Sequence, residues 1–165
     1  MFILVFIIVF GDLVYETRAL CPASSFTNPD SGICYWYNPS LVTATACNTS
    51  CVLNGGIIGE IPDENSQLFL MQHFQSVGVT GGIWVGVNDI DAELNFRTWD
   101  GYPQSYFNWR LGQPNGYPLD AGATEQDCMA MFTTDNFRWQ DKPCGDNYMC
   151  LCSYRSCKLK IIIAI

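Results

Sequence analysis

Nine cysteines in a chain of 165 residues restrict what it can fold into more tightly than any other feature of the sequence. So many thiols in a short chain read as a disulfide framework, and such frameworks persist only in an oxidising compartment. The odd count leaves at least one of them without a partner inside the chain. The length holds one domain with a real core and little more. A formal net charge of −8 with only 8 Lys and Arg argues against a nucleic-acid partner, because a phosphate backbone is bound by clustered cations that displace its counterions. The place of action is read as extracellular or luminal.

The first residues point the same way. Phe2 to Phe10 is uninterruptedly apolar, and Thr17 and Ala19 put small residues three and one before a cut, so residues 1–19 read as a signal peptide. A buried strand or a membrane anchor is the competing reading, favoured by the lack of a positive charge ahead of the run and by Asp12 and Glu16 after it. The run is short for crossing a bilayer, and the apolar end of the chain at 161–165 is shorter still, so no stable membrane span is expected. Removing Asp12, Glu16 and Arg18 with the segment leaves 14 acidic against 7 basic residues, so the mature part stays acidic. Residues 20–154 are then the domain and 155–165 a short tail.

Cys21 and Pro22, followed by Cys34, Tyr35, Trp36 and Tyr37, predict a small hairpin leading into an aromatic strand. Residues 41–53 favour a helix with Leu41, Ala44, Cys47 and Cys51 on one face, stopped by Gly55 and Gly56. A second helix is predicted from Asp63 to about Val77, capped by Asp63 or Ser66, with an apolar stripe of Leu68, Phe69, Met71, Phe74 and Val77. Ile83 to Val87 form a short apolar strand, Asn88, Asp89, Asp91 and Glu93 a polar loop, and Phe96 to Gly101 a strand and a turn. Residues 106–123 carry Gly and Pro too often for a helix and read as a long shaped loop. Met129 to Phe132, Phe137 to Trp139 and Tyr148 to Tyr154 supply further strands. Trp84, Trp99, Trp109 and Trp139 are assigned to the core rather than to a stacking platform. His73 is the single histidine, and no nucleophile motif accompanies it, so the residues give no ground for an enzyme.

Several blocks fall in a specific order: Cys51 with Gly55 and Gly56; Ile83 to Val87; Trp99, Asp100 and Gly101 followed by Asn108 and Trp109; Gln113, Pro114 and Asn115; Trp139, Gln140 and Asp141 with Cys144. In this order the chain resembles the C-type lectin-like domain from about Cys21 to Tyr154. The resemblance implies an α+β fold of two helices with small antiparallel sheets and a long disulfide-braced loop region. It also implies the bridges Cys21–Cys34, Cys51–Cys152 and Cys128–Cys144. Cys150 follows Tyr148 and Met149 in a family-like way too, but the usual spacing from Cys144 reaches Cys152. Among the remaining cysteines, Cys47 shares a helix face with Cys51 and Cys150 shares a strand face with Cys152, so a parallel Cys47–Cys150 bridge is expected. Cys157 is left over, open to a disulfide-linked dimer or to capping by a small thiol.

In the resembled family a sugar lays two adjacent hydroxyls on a calcium ion while the metal's own ligands hydrogen-bond them. The resemblance carries the metal role onto Gln113, Asn115, Gln126 (or Glu125), Gln140 and Asp141, and the sugar role onto Gln113, Asn115, Glu125, Gln140 and Asp141. Pro114 is expected to follow a cis bond. Calcium takes six to eight hard oxygens and is held more tightly as more of them are charged. Here several positions are amides and Asp141 is the one sure carboxylate, so a weakened site is expected. The segment between Asn115 and Cys128 is longer than the family's compact version and adds Asp120. The tripeptide is a hybrid of the mannose-type Glu, Pro, Asn and the galactose-type Gln, Pro, Asp, so no sugar is named. Asp89, Glu93 and Asp127 match an auxiliary calcium position, with Gly116 where another ligand would stand; the same residues also read as a solvated acidic loop. Asn48 with Ser50 forms an acceptor sequon for glycosylation. The reading is a secreted, non-enzymatic carbohydrate-binding module. Its rival is a calcium-independent lectin-like domain that binds a protein or another surface.

Overall fold

The computed structural model describes the backbone at residues 3–9, 12–18, 21–116, 125–155 and 158–163, and the side chains at 21–116 and 125–155. Asp120 and Cys157 lie outside the described residues. Near the ends, β1 (Ile3–Val9) and β2 (Asp12–Arg18) pair antiparallel, and β11 (Lys158–Ile163) pairs with β2. Residues 3–9 and 12–18 thus form strands in this chain. Processing after Ala19 would remove two of the three strands of that sheet.

The main sheet has eight strands: β3 (Phe26–Thr27), β4 (Cys34–Val42), β5 (Ile57–Ile58), β6 (Gly82–Asn88), β7 (Arg97–Thr98), β8 (Cys128–Phe132), β9 (Arg138–Lys142) and β10 (Tyr148–Tyr154). Its order is β3-β4-β10-β6-β8-β9, with β5 on β10 and β7 on β6. The sheet is mixed rather than wholly antiparallel, because β10 runs parallel to β6 and pairs Met149 with Ile83 and Cys150 with Trp84. Antiparallel neighbours can be joined by tight turns, whereas a parallel pair needs a long connection, and here that connection contains the whole loop region.

Strand alternation sorts the side chains onto two faces. Ile83, Val85 and Val87 of β6, Met129 and Met131 of β8, and Met149 and Leu151 of β10 meet Leu70 and Phe74 of helix α2 (Glu64–Ser76) in one buried cluster. Trp84, Cys128, Ala130, Cys150 and Cys152 point the other way and meet Ala44, Cys47 and Cys51 of helix α1 (Ala44–Leu53). Each face of the sheet thus has one helix over it. Trp84 and Trp139 are fully buried, and Trp99 and Trp109 are half-buried against the same clusters.

Two helix expectations need correction. α1 begins at Ala44 rather than Leu41, since Thr43 caps it by accepting the Ala46 N–H at 3.2 Å. Leu41 and Val42 instead finish β4 opposite Met149 and Tyr148, and Leu41 is exposed. In α2 the cap is Asp63, one of the two candidates, and it accepts from the N–H of the other, Ser66, but Leu68 and Val77 are exposed, while Ser66, Gln67, Leu70 and Phe74 are buried. Hydrophobicity misplaces this face because a polar residue sits on it: Gln67 donates to the Phe137 carbonyl at 3.2 Å and accepts from the Trp139 indole at 2.8 Å. His73 stacks on Phe26, with ring centroids 3.5 Å apart, and burial lowers its pKa. Helix α1 ends where expected: Gly55 has φ +80°, the left-handed region that glycine enters without cost, and its N–H caps the Val52 carbonyl.

The bridges Cys21–Cys34, Cys47–Cys150, Cys51–Cys152 and Cys128–Cys144 are all formed. Two of them tie α1 to β10 side by side, spanning 103 and 101 residues of sequence. Once either is closed, the other closes only a small ring of about six residues of helix and strand. On the chain-entropy scale the first bridge is worth about 4.7 kcal/mol and the second about 2 kcal/mol. Replacing Cys47 and Cys150 by Ala is therefore expected to cost ~2 kcal/mol, and removing all four cysteines ~7 kcal/mol, a non-additive pattern read by urea denaturation.

Candidate functional site

The candidate site is built from β9 outward. Trp139 donates its N–H to the Asn108 carbonyl at 2.7 Å, and the Arg110 N–H donates to the Trp139 carbonyl at 2.9 Å, so the loop from Asn108 runs beside β9 as an extra, parallel partner. The Asn108 side chain donates to the Phe137 carbonyl at 3.1 Å. Phe107 stacks on Trp109 with ring centroids 5.4 Å apart, and Phe96 packs on both. The chain then turns, with Gln113 N–H on the Arg110 carbonyl, and the Gln113–Pro114 bond is cis, as expected.

This turn carries Asn115 and Gly116 onto Asp141. The Asn115 N–H donates to Asp141 Oδ2 at 2.8 Å. Gly116 fits so closely that a Cβ there would stand 2.6 Å from the same oxygen and 2.9 Å from Gln126, a space that no other residue fits without displacing its neighbours. Asp141 is 1% exposed, and its Oδ1 has no hydrogen-bond partner. Burial raises its pKa, opposed by N–H donors from Asn115, its own backbone and Gly116, and by the charge of Lys142. The Gln113 Oε1 is likewise buried and unpartnered. Gln140 is buried beside Asp141 on β9, Gln126 is half-buried, and Asn115 and Glu125 are exposed. Asn115, Gly116, Gln126 and Asp141 are thus drawn into one corner, with Gln113 two residues before Asn115 on the same turn, and Glu125 stays at the surface; burial, and after it the charge of Glu125, raises the pKa of Asp127.

The acidic loop lies in the same electrostatic neighbourhood. Asp89 is 5% exposed; its N–H donates to the Asp127 carbonyl, its Oδ2 accepts from the Leu94 N–H at 2.9 Å, and its Oδ1 has no partner. Burial pushes its pKa up to about 6, with Glu93, Asp127 and Asp141 adding to the rise against the Leu94 bond. Among the described residues, no three carboxylates gather one oxygen each within 4.8 Å. Asp89, Glu93 and Asp127 are neighbours in charge without forming a closed cage.

The donors fit a hard cation held weakly. Asp141 Oδ1, Gln113 Oε1 and Asp89 Oδ1 are buried oxygens without donors, a state that costs about 1–3 kcal/mol each and that a cation relieves. Against this stands a single buried carboxylate at the corner, one of whose oxygens is already held by the loop backbone.

A mixed sheet braced by disulfides, with one helix over each face and an oxygen-lined loop corner beside its last strand, is the architecture of a binding module. A family model described as the Lectin C-type domain matches residues 40–154, and the chain belongs to that family, whose members are non-enzymatic binding modules. It is 28% identical over 123 residues to the tetranectin-like protein of Carcharhinus perezii, covering 73% of this chain and 70% of that protein. It is 30% identical over 124 residues to asialoglycoprotein receptor 1 of Rattus norvegicus, covering 73% of this chain but only 40% of the receptor. The carbohydrate-recognition domain of the mouse scavenger receptor C-type lectin superposes with a TM-score of 0.70 at 22% identity, over 82% of this chain and 98% of that one.

Sequence reasoning missed the close approach that makes Gly116 necessary and the clamp from Gln67 onto Trp139. A glycine directly after Pro114 and Asn115 was the available signal for the first. The second had none, because a polar residue on a core face looks like a surface residue in sequence. Asn48 of the sequon is half-buried on α1, with its Oδ1 unpartnered.

The raised carboxylates set a pH dependence. The Asp89 pKa rises from 3.8 to about 6 on folding, so its stabilisation is complete below about 4 and lost as pH climbs through about 6. Asp141 and Asp127 act in the same direction. In EDTA, Tm is expected to fall between about pH 4 and about pH 6, and Asp89→Asn to flatten that fall in scanning calorimetry.

Proposed function

We propose that the chain is a secreted carbohydrate-binding module whose ligand sits at Gln113, Asn115, Gln140 and Asp141, with Glu125 at the rim. One observation carries the reading: Asp141 Oδ1 and Gln113 Oε1 are buried in the loop corner without a hydrogen-bond partner. Protein interiors rarely leave such atoms unpaired, so two at one corner mark a place for an outside group. A calcium ion there would take Gln113, Asn115, Gln140, Asp141 and Gln126 or Glu125 as ligands and would supply a Lewis-acidic seat for adjacent sugar hydroxyls. The residues themselves orient those hydroxyls: the amides of Gln113, Asn115 and Gln140 both donate and accept, and the carboxylates accept. Asp89, Glu93 and Asp127 are proposed as an auxiliary calcium position on the same ground of an orphaned buried oxygen.

The four bridges support secretion, because they need an oxidising compartment, as does the apolar run read as a signal peptide at residues 1–19. No helix among the described residues is long and apolar enough to cross a membrane. Glycosylation at Asn48 belongs to the same reading, as does a disulfide-linked dimer through Cys157.

A second reading has its own observation. The Asn115 N–H already bonds Asp141 Oδ2, and the Gly116 backbone favours the same charge, which leaves less of it for a metal. In that case the domain binds a protein or another surface through the loop without calcium.

The test is a calcium titration followed by thermal stability and tryptophan fluorescence, together with capture on immobilised glycans. The first reading expects capture that EDTA abolishes and a melting temperature that rises with millimolar calcium, by about 2.7 kcal/mol of stabilisation at a hundredfold excess over Kd. Asp141→Asn is expected to remove both effects. No calcium heat at millimolar concentration, with capture indifferent to EDTA, selects the second reading.

A further inference from the structure

Arg155 follows β10 directly, and its surroundings share no residue with the corner described above. Its Nε donates to Glu60 Oε2 at 2.8 Å and its Nη2 to Oε1 at 2.5 Å, a bidentate pair that fixes the guanidinium plane. The Arg155 side chain is 55% exposed and that of Glu60 only 5%, so the pair is rooted in the interior and presents its cation at the surface. The root is itself hydrogen-bonded: the Glu60 N–H donates to Ser153 Oγ at 3.1 Å, and the Tyr35 hydroxyl donates to the Glu60 carbonyl at 2.9 Å. Tyr102 supports the guanidinium from a further side, its ring centroid 5.6 Å away.

A cavity of about 220 Å³ opens beside this fixed cation, lined by Gly55, Gly56, Ile57, Asp100, Ser153 and Arg155. A smaller one of about 110 Å³ lies on the Tyr102 side. With the Nε proton and one Nη2 proton taken by Glu60, both Nη1 protons and the second Nη2 proton are left to Arg155. Asp100 Oδ1 accepts from Thr98 Oγ1 at 2.5 Å, which holds the carboxylate and leaves Oδ2 as an acceptor. The larger cavity thus has a fixed donor group and a fixed acceptor in its wall, beside the glycine backbone of Gly55 and Gly56.

From this geometry we infer a second, metal-free subsite in that cavity, for a single neutral pyranose ring. Adjacent ring hydroxyls both donate and accept, so one pair satisfies Arg155 Nη1 and Asp100 Oδ2 together. The volume is below the roughly 300–1,000 Å³ of sites for drug-sized ligands and suits one ring. Charge selects against an anion: Glu60 neutralises Arg155, Asp100 adds a negative charge, and the chain carries a formal −8. Preorganisation lowers the cost of binding, because the groups are already held by Glu60, Tyr102 and Thr98.

This site goes beyond the calcium corner and is tested with calcium removed. Saturation-transfer NMR on the full chain in EDTA, with methyl α-mannopyranoside and methyl β-galactopyranoside as probes and inorganic phosphate as competitor, reads it directly. The expected result is transfer to at least one pyranoside, indifferent to phosphate, retained in Asp141→Asn and weakened at least about tenfold by Asp100→Ala, which leaves the Glu60 pair intact. Arg155→Lys, which keeps the charge and loses the fork, is expected to weaken it as well. Absence of transfer in EDTA, displacement by phosphate, or full binding by an Asp100→Ala protein of unchanged Tm overturns the subsite. None of these outcomes depends on whether calcium-dependent capture succeeds.

Discussion

Four sulfurs between α1 and β10 hold the rest of the molecule in register. Cys47, Cys51, Cys150 and Cys152 are at most 2% exposed, and Cys51 Sγ lies 3.7 Å from Cys150 Sγ, across the two parallel bridges. Their effect comes from where they attach. β10 pairs with β4, β5 and β6, so fixing a helix to β10 fixes the strand from which the sheet branches in both directions. Two bridges a helical turn apart also remove the rotation that a single bridge leaves, so α1 presents one face only. A domain with short strands and a loop region of some forty residues has few other long-range constraints of comparable strength.

From β10 the order passes through β6 and β8 to β9, the last strand of the main sheet. There the sheet does two things at once. Trp139 faces inward, where Gln67 of α2 holds its indole and the Phe137 carbonyl, while its backbone pairs with the loop at Asn108 and Arg110. Two residues on, Asp141 receives the returning loop at Asn115 and Gly116. The loop is therefore stitched to the strand at both ends of the Asn108 to Gly116 stretch. Only a stretch so held can keep Asp141 Oδ1 and Gln113 Oε1 buried without partners; a free loop would turn those oxygens to water.

Much of this was legible in the sequence, and the reasons are physical. The strand at 128–132 follows from period-two alternation and that at 82–88 from a short apolar run, and even the Cys47–Cys150 bridge follows from combining helical and strand spacing, because these signals are local. What failed was the assignment of faces where polar residues are buried. Leu68 and Val77 look like core and Gln67 like surface until the Trp139 indole needs an acceptor. The parallel pairing of β10 with β6 was also hidden, since a contact between residues 83 and 149 has no local signature. At the candidate site the residue types were legible and their state was not: Glu125 and Asp141 are both carboxylates in sequence, yet one is exposed and the other 1% exposed.

That difference in state joins the two acidic positions into one electrostatic unit. Burial raises the pKa of both Asp89 and Asp141, and the charge of Asp141 adds to the rise at Asp89. A cation near either relieves both. By linkage, an ion bound at the acidic loop and one bound at Asp141 would change each other's affinity to the same degree. The amides in place of acids at Gln113, Gln126 and Gln140 weaken the corner taken alone, because affinity follows charged ligands. Taken with Asp89, Glu93 and Asp127, the same corner faces a larger negative field, and Gly116 lets the backbone pass close against Asp141 and Gln126 where any side chain would clash. The affinity of a cation proposed at the corner would therefore depend on the charge of the neighbouring carboxylates as well as on its own tripeptide.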